Sequence, residues 1–225
     1  AQALQAELTK YLKESQIYRI DHYLGKSAIQ NIMLTRFTNA VFEPLWNHHH
    51  IDHVQITNNE TLGVGDRTTF YNATGALRDM FQSHLLQTMA LVAMEKPKDF
   101  TPESIRAEKI NLLKSIRPVD VNHLHKNVFR AQYAGGRVDV GDGHSEKVLS
   151  YLEELKRDGV DSSKTETYAA VKLFVDNERW KGVPFYVRTA KRMHEGNTAI
   201  AIRFKKSPIE LNGQQQQNWL IINIQ

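Results

Sequence analysis

Residues 19–26 read Arg-Ile-Asp-His-Tyr-Leu-Gly-Lys, which places an acid, an imidazole, a phenol and an ammonium within six positions. On an extended backbone successive side chains point to opposite faces, so Asp21, Tyr23 and Gly25 would share one side and His22, Leu24 and Lys26 the other. The His22 and Lys26 side joins a directed N–H donor to a mobile point charge, a pairing suited to phosphate. The opposite side offers the Asp21 carboxylate for another task, such as orienting a second histidine. Taken alone, the octapeptide also reads as a solvated turn at an element end, where charged residues cluster.

A second histidine is available in the run Gly75 to Met89, Gly-Ala-Leu-Arg-Asp-Met-Phe-Gln-Ser-His-Leu-Leu-Gln-Thr-Met. Apolar spacing predicts a helix over 74–95. At about 100° per residue, His84 falls on the stripe of Leu77, Met80, Phe81, Thr88 and Leu91, the face turned to the core. A histidine there is either a structural core residue or, kept neutral by desolvation, a base usable near neutrality. Set beside Asp21, it completes a carboxylate–imidazole dyad.

Arg19–Lys26 followed by Arg78-Asp79-Met80-x-Gln82-x-His84 resembles the glucose-6-phosphate dehydrogenase family. The likeness continues through Phe42-Glu43-Pro44-Leu45-Trp46-Asn47 and Leu91-Val92-Ala93-Met94-Glu95-Lys96-Pro97. It extends to Arg179-Trp180-x-Gly182-Val183-Pro184-Phe185 and Arg188-x-x-Lys191, in the family's order, with details closest to bacterial, lactic-acid-type members. The resemblance implies an oxidoreductase of the oxidative pentose phosphate pathway. It would oxidise glucose 6-phosphate at C1 to 6-phosphogluconolactone, with hydride transfer to NADP or NAD. His84 is implied as the general base and Asp21 as the carboxylate that holds it, with the orienting logic of a serine-protease triad. His22, Tyr23 and Lys26 are implied at the phosphate, Lys26 also near the reacting end of the sugar. Glu60 and Asp79 are implied on sugar hydroxyls, where a charged acceptor strengthens the bond, and Lys191 as a further substrate-binding lysine. A homodimer and cytoplasmic residence are implied as well.

The chain also departs from the family. Ser27 stands where the family has glutamate, and Gln82-Ser83-His84 replaces Gln-Asn-His. The approach to the helix, glycine-rich in the family, reads Gly65-Asp66-Arg67-Thr68-Thr69-Phe70-Tyr71. A second basic substrate contact of the family falls on Gly196, which predicts weaker phosphate binding unless Arg192 or a shifted lysine substitutes. No strand, Gly-rich turn and helix for a dinucleotide is evident: Gly63-Val64-Gly65 lacks a third glycine, and the loop from Gly135 to Gly143 lacks the flanking elements. The chain therefore reads as a fragment. Residues 1–20 are expected to be the terminal helix and strand of a coenzyme-binding domain, and 21–225 a substrate-binding and dimerisation domain incomplete at its C-terminal end. Cofactor-binding residues are then expected outside it, and the chain alone is expected to be inactive. The alternative is a non-catalytic phosphosugar-binding or dimerisation module.

Composition narrows the remaining classes. The 225 residues hold 29 Lys and Arg against 25 Asp and Glu and no cysteine, which excludes disulfides, a thiol nucleophile and thiolate metal sites. Basic residues are scattered among acids, with no basic stripe interleaved with aromatics, so no nucleic-acid partner is expected. No apolar run reaches the roughly 18 residues of a spanning helix, so no membrane partner is expected either. His48-His49-His50 with His53 could attract zinc or nickel, but adjacent histidines in one turn rarely converge on one ion, and no metal is expected. Helices are predicted over 2–14, 27–40, 74–95, 102–115 and 146–157, and strands over 52–58, 127–133, 167–176, 184–189, 198–205 and 218–224. Hairpin-like spacing late in the chain favours antiparallel pairing. Joined to the resemblance, it predicts an α+β fold, a large mixed, mostly antiparallel sheet backed by helices.

Overall fold

The structure is a computed structural model that describes all residues except 1, 14, 15, 19, 142, 143, 207–216 and 225. Arg19 of the octapeptide and part of the loop ending at Gly143 thus lie outside the described residues. Alternation of branched and polar side chains produces the strands. In β1 (Ile51–Asn59), Ile51, Val54 and Ile56 are buried. In β5 (Tyr168–Phe174), Ala169, Val171 and Leu173 turn inward at every second position, as do Phe185, Val187 and Thr189 in β6 (Pro184–Ala190).

With β2 (Val128–Ala131), β7 (Asn197–Phe204) and β8 (Trp219–Asn223), these strands form a six-stranded sheet in the order β2-β5-β6-β1-β7-β8. Every pairing in it is antiparallel except β1 with β6, where Val54 lies opposite Phe185 and Asn59 opposite Ala190. The sheet is thus mixed and mostly antiparallel. The parallel pair has a direct consequence: the C-terminal ends of β1 and β6 leave the sheet at the same end of the strands, bringing Glu60 beside Ala190 and Lys191. The Glu60 N–H donates to the Ala190 carbonyl at 2.8 Å.

One face of the sheet is covered by α2 (Ser27–Phe37), α4 (Leu86–Ala93) and α5 (Pro102–Lys114), which share its apolar core. α5 begins as its sequence indicates, with Thr101 accepting from the Ser104 N–H and Pro102 in the first turn. The carbonyls at the C-terminal end of α4 have no partners within the helix. They are met by buried donors from far along the chain: Arg36 to Leu91 and Met94 at 3.0 and 2.9 Å, the Trp46 indole to Val92 at 2.8 Å, and the Trp180 indole to Ala93 at 2.7 Å. Burial lowers the Arg36 pKa to about 10, opposed by Glu43, so the guanidinium stays charged at neutral pH.

Four predicted elements are corrected. The helix expected over 74–95 is broken: α3 (Thr68–Ala76) ends at Gly75, whose φ of 68° interrupts the helical path, a π-helix follows over Leu77–Leu85, and α4 then resumes. The helix expected over 146–157 is confined to α6 (Tyr151–Arg157), which starts at a Ser150–Glu153 capping box. Before it, in place of the expected loop, runs a hairpin of β3 (Gly136–Gly141) and β4 (His144–Val148). The exposed, polar β4 offers no apolar alternation to announce a strand. The helix expected over 2–14 is α1 (Gln2–Leu8), closed by the Thr9 hydroxyl bonding back to the Gln5 and Ala6 carbonyls.

Candidate active site

Residues 22–25 of the octapeptide form a turn, so the two-sided strand reading does not hold. Asp21 organises the turn by accepting the Tyr23 and Leu24 N–H groups through Oδ1 at 2.9 and 3.4 Å. His22 is therefore not carried to the opposite side: its ring lies edge-on to both Tyr23 and His84, with centroids 5.0 and 4.6 Å away. Both Asp21 carboxylate oxygens lie within reach of His84 Nδ1, at 3.0 and 2.9 Å. A carboxylate there selects the tautomer with the proton on Nδ1, leaving Nε2 as the free base. The Asp21 and His84 side chains are 17% and 15% exposed, withdrawn from bulk solvent yet reachable.

The π-helix matters for what shares this face. In an α-helix, residues five apart diverge by about 140°, whereas i→i+5 hydrogen bonding brings them toward one side. Asp79 and His84 are such a pair. Tyr23 marks the shared face. Its ring stacks on His84 at 4.4 Å and 15°, and its buried hydroxyl is raised to about 12, first by burial, then by Glu60, with Asp21 and Asp79 adding. The phenol is therefore neutral across the physiological range. Its oxygen accepts from the Asn58 amide at 2.7 Å, and Asn58 is itself held by Thr198 and Thr189.

The predicted cations differ in how they are held. Lys26 Nζ sits 4.5 Å over the Tyr23 ring and has no carboxylate partner among the described residues. Lys191 forms an ion pair with Glu60 and lies 5.4 Å over the Tyr71 ring. Tyr71 is raised by burial and next by Asp79, so it links the Asp79 face to the Glu60–Lys191 edge. A cavity of about 660 Å³ opens there, lined by Glu60, Arg67, Tyr71, Lys191 and Gly196 among others. Arg192 lines the same cavity as Gly196. Its guanidinium is held by buried Glu154 at 2.9 Å, and Glu154 also accepts from the Tyr133 hydroxyl at 2.6 Å and the Gly65 N–H at 3.2 Å.

Asp21, His22, Tyr23 and His84 are thus in mutual contact. Lys26 covers Tyr23, and Glu60, Lys191 and Asp79 surround the same two tyrosines. Sequence reasoning misses Asn58, Tyr71 and Glu166. Asn58 carries a usable signal, since asparagine is disfavoured in strands and here is buried within β1. No group of three or more His, Asp and Glu converges to hold a metal ion among the described residues. His53 instead engages Asp52 at 2.9 Å, and the His48 and His49 rings face each other at 3.9 Å. No described helix is long and apolar enough to cross a membrane.

Residues 33–225 match the family "Glucose-6-phosphate dehydrogenase, C-terminal domain". The chain belongs to the glucose-6-phosphate dehydrogenase family. Residues 1–31 match the companion "Glucose-6-phosphate dehydrogenase, NAD binding domain". Within the family, glucose-6-phosphate 1-dehydrogenase of Bacillus subtilis (strain 168) is 46% identical over 100% of this chain and 45% of its own length. The enzyme of the same name from Rhizobium meliloti (strain 1021) is 44% identical over 100% of this chain and 45% of its own. A solved glucose-6-phosphate dehydrogenase in complex with its substrate glucose-6-phosphate superposes with a TM-score of 0.88 at 36% identity, covering 100% of this chain and 44% of that one. The chain spans less than half the length of the curated relatives it matches.

Proposed function

We propose that this chain supplies the sugar-phosphate half of a glucose-6-phosphate dehydrogenase active site. The observation that carries the reading is the Asp21–His84 contact at Nδ1, which favours the tautomer whose Nε2 is free to act as a base, on an imidazole stacked against Tyr23. His84 takes the proton from the C1 hydroxyl of glucose 6-phosphate through Nε2, and Asp21 stabilises the imidazolium that results. Glu60 and Asp79 accept from sugar hydroxyls, and Lys191 donates to the sugar. His22, Tyr23 and Lys26 take the phosphate, for which the exposed His22 and the Lys26 ammonium resting on an aromatic ring are suited.

In the whole enzyme, hydride leaves C1 for NADP or NAD, giving 6-phosphogluconolactone as the first product of the oxidative pentose phosphate pathway. The described residues do not fit that dinucleotide. Among them is no strand, Gly-rich turn and helix to seat a pyrophosphate, and Gly63 is packed against the Arg192 guanidinium. This favours a second reading for the chain in isolation, a phosphosugar-binding module without turnover. The division of labour is proposed at 20/21, because Asp21 already belongs to the dyad. The whole protein is proposed to be a cytoplasmic homodimer. The exposed Phe129, Tyr186 and Trp219 of the sheet are a surface on which two copies could meet.

The test uses a protein of the relatives' full length carrying this sequence. Reduction of NADP or NAD by glucose 6-phosphate is expected, and His84→Asn should lower kcat about 10²- to 10⁴-fold with little change in KM. A kcat within a few-fold of the unmodified protein would remove His84 as the base. No turnover by the unmodified protein would leave the binding-module reading.

A further inference from the structure

We propose that Glu166 is a positioning residue of this site, its carboxylate fixing the start of the helical run that carries Asp79 and His84. The inference rests on the reading of His84 as the base. The chain breaks helical geometry at Gly75, with φ at 68°, and must begin again at Leu77. A helix start leaves N–H groups without intrahelical partners. The Leu77 N–H donates to Glu166 Oε1 at 3.0 Å, and the Ala76 N–H to the Glu166 backbone carbonyl at 3.0 Å. A carboxylate at this end also meets the positive end of the helix dipole. Glu166 is 7% exposed, so water would not readily replace it if it were removed.

The fit explains the glycine. A Cβ on residue 75 would lie 2.6 Å from Glu166 Oε1, so the break must be glycine both for its positive φ and for the carboxylate beside it. The surrounding segment clamps the same junction. The Tyr71 hydroxyl donates to the Glu166 carbonyl at 3.4 Å, and the Thr165 hydroxyl to the Asn72 carbonyl at 2.8 Å. Glu166 Oε2 faces the half-exposed Arg130 guanidinium at 3.5 Å.

The two ends of the run Leu77–Ala93 are therefore held by different means. Arg36, Trp46 and Trp180 hold its carbonyl end from within the main core, and one carboxylate holds its N–H end. Asp79 is two residues beyond Leu77, and His84 is joined to that turn by the i→i+5 ladder. Slack at Leu77 passes to both side chains. Among the described residues, no hydrogen bond or ion pair joins Glu166 to Asp21, Asp79 or His84, so its effect is through the backbone.

Glu166→Ala and Glu166→Gln separate this role from bulk packing, because glutamine keeps an oxygen for the Leu77 N–H. In the 225-residue chain, ¹⁵N-histidine NMR should show a downfield His84 Nδ1 proton shared with Asp21. Glu166→Gln should retain that resonance, and Glu166→Ala should shift or broaden it while unfolding stays cooperative. In the full-length enzyme, Glu166→Ala is expected to lower kcat about 10- to 100-fold with KM within about threefold, and Glu166→Gln to stay within about threefold on both. An unchanged resonance and kcat in Glu166→Ala, or equal losses in the two variants, would overturn the proposal. Should Glu166→Ala not fold, hydrogen exchange of the Leu77 amide in the unmodified chain decides: strong protection supports the bond, and exchange at the rate of an exposed amide overturns it. The NMR and exchange readouts need no turnover, so an inactive unmodified enzyme would count against the functional reading and not against this one.

Discussion

At the proposed base end of the site, Asp21 is held by the Tyr23 and Leu24 amides and lies 2.9 Å from His84 Nδ1, and His84 is stacked on a tyrosine fixed by a buried asparagine. At the anion end, His22 is exposed and Lys26 rests on the Tyr23 ring with no carboxylate partner among the described residues. Lys191 lies between these extremes, paired with Glu60 but facing a cavity. The groups proposed to handle a proton are held by several fixed contacts, so under that reading little reorganisation would be needed when charge develops on the imidazole. At the proposed phosphate end, the Lys26 ammonium has no carboxylate partner among the described residues, so its attraction would remain for the ester. The Glu60–Lys191 pair offers an acceptor and a donor together, which matches hydroxyl groups that both donate and accept.

If the two ends differ in this way, their variants should fail differently. Where His84→Asn is expected to act on kcat, Lys26→Ala should weaken glucose 6-phosphate binding about 10- to 100-fold, the worth of a hydrogen bond to a charged group. It should leave thermal stability nearly unchanged, because the substitution breaks no ion pair among the described residues. Calorimetric titration alongside thermal unfolding checks both. Unchanged affinity with a large drop in stability would make Lys26 a structural residue and erase the contrast.

A smaller effect is expected at Gly196. Its backbone is outside the left-handed region, and an added Cβ would meet nothing closer than 3.8 Å. Nothing local therefore requires glycine. With Arg192 committed to Glu154, Gly196→Lys should add a cation at the cavity and tighten glucose 6-phosphate binding about three- to tenfold, the low end for a new charge-assisted contact. Titration of this variant showing unchanged or weaker binding would place the phosphate elsewhere.

Much of the sheet is legible in the sequence, and much of the helical layer is less so. The strands at 51–59, 168–174, 184–190, 197–204 and 219–223 follow runs of Val, Ile, Phe and Tyr, and α5 follows from Thr101 and Pro102. The position of β1 between β6 and β7 is not legible, because pairing partners more than a hundred residues apart leave no local trace. That placement is what joins Glu60 to Lys191. The π-helix is also hidden: the apolar spacing of 77–91 reads as an ordinary helix, and only Gly75 marks the break. The dyad itself is visible through the resemblance of its two segments, but its supports are not. Asn58 and Glu166 act on residues 35 and 89 positions away. The octapeptide, read as extended, forms a turn over residues 22–25 because the Asp21 side chain accepts its own downstream amides. That local bond competes with a strand and puts His22 against His84 instead of away from it.

The central claim, that this chain builds a site for a phosphorylated sugar, is tested most directly by titrating the 225-residue chain with glucose 6-phosphate and with glucose under identical conditions. The phosphate should contribute at least about a tenfold gain in affinity, through charge-assisted bonds that glucose cannot make. Equal affinities for the two sugars, or no binding of glucose 6-phosphate to the folded chain, would contradict it.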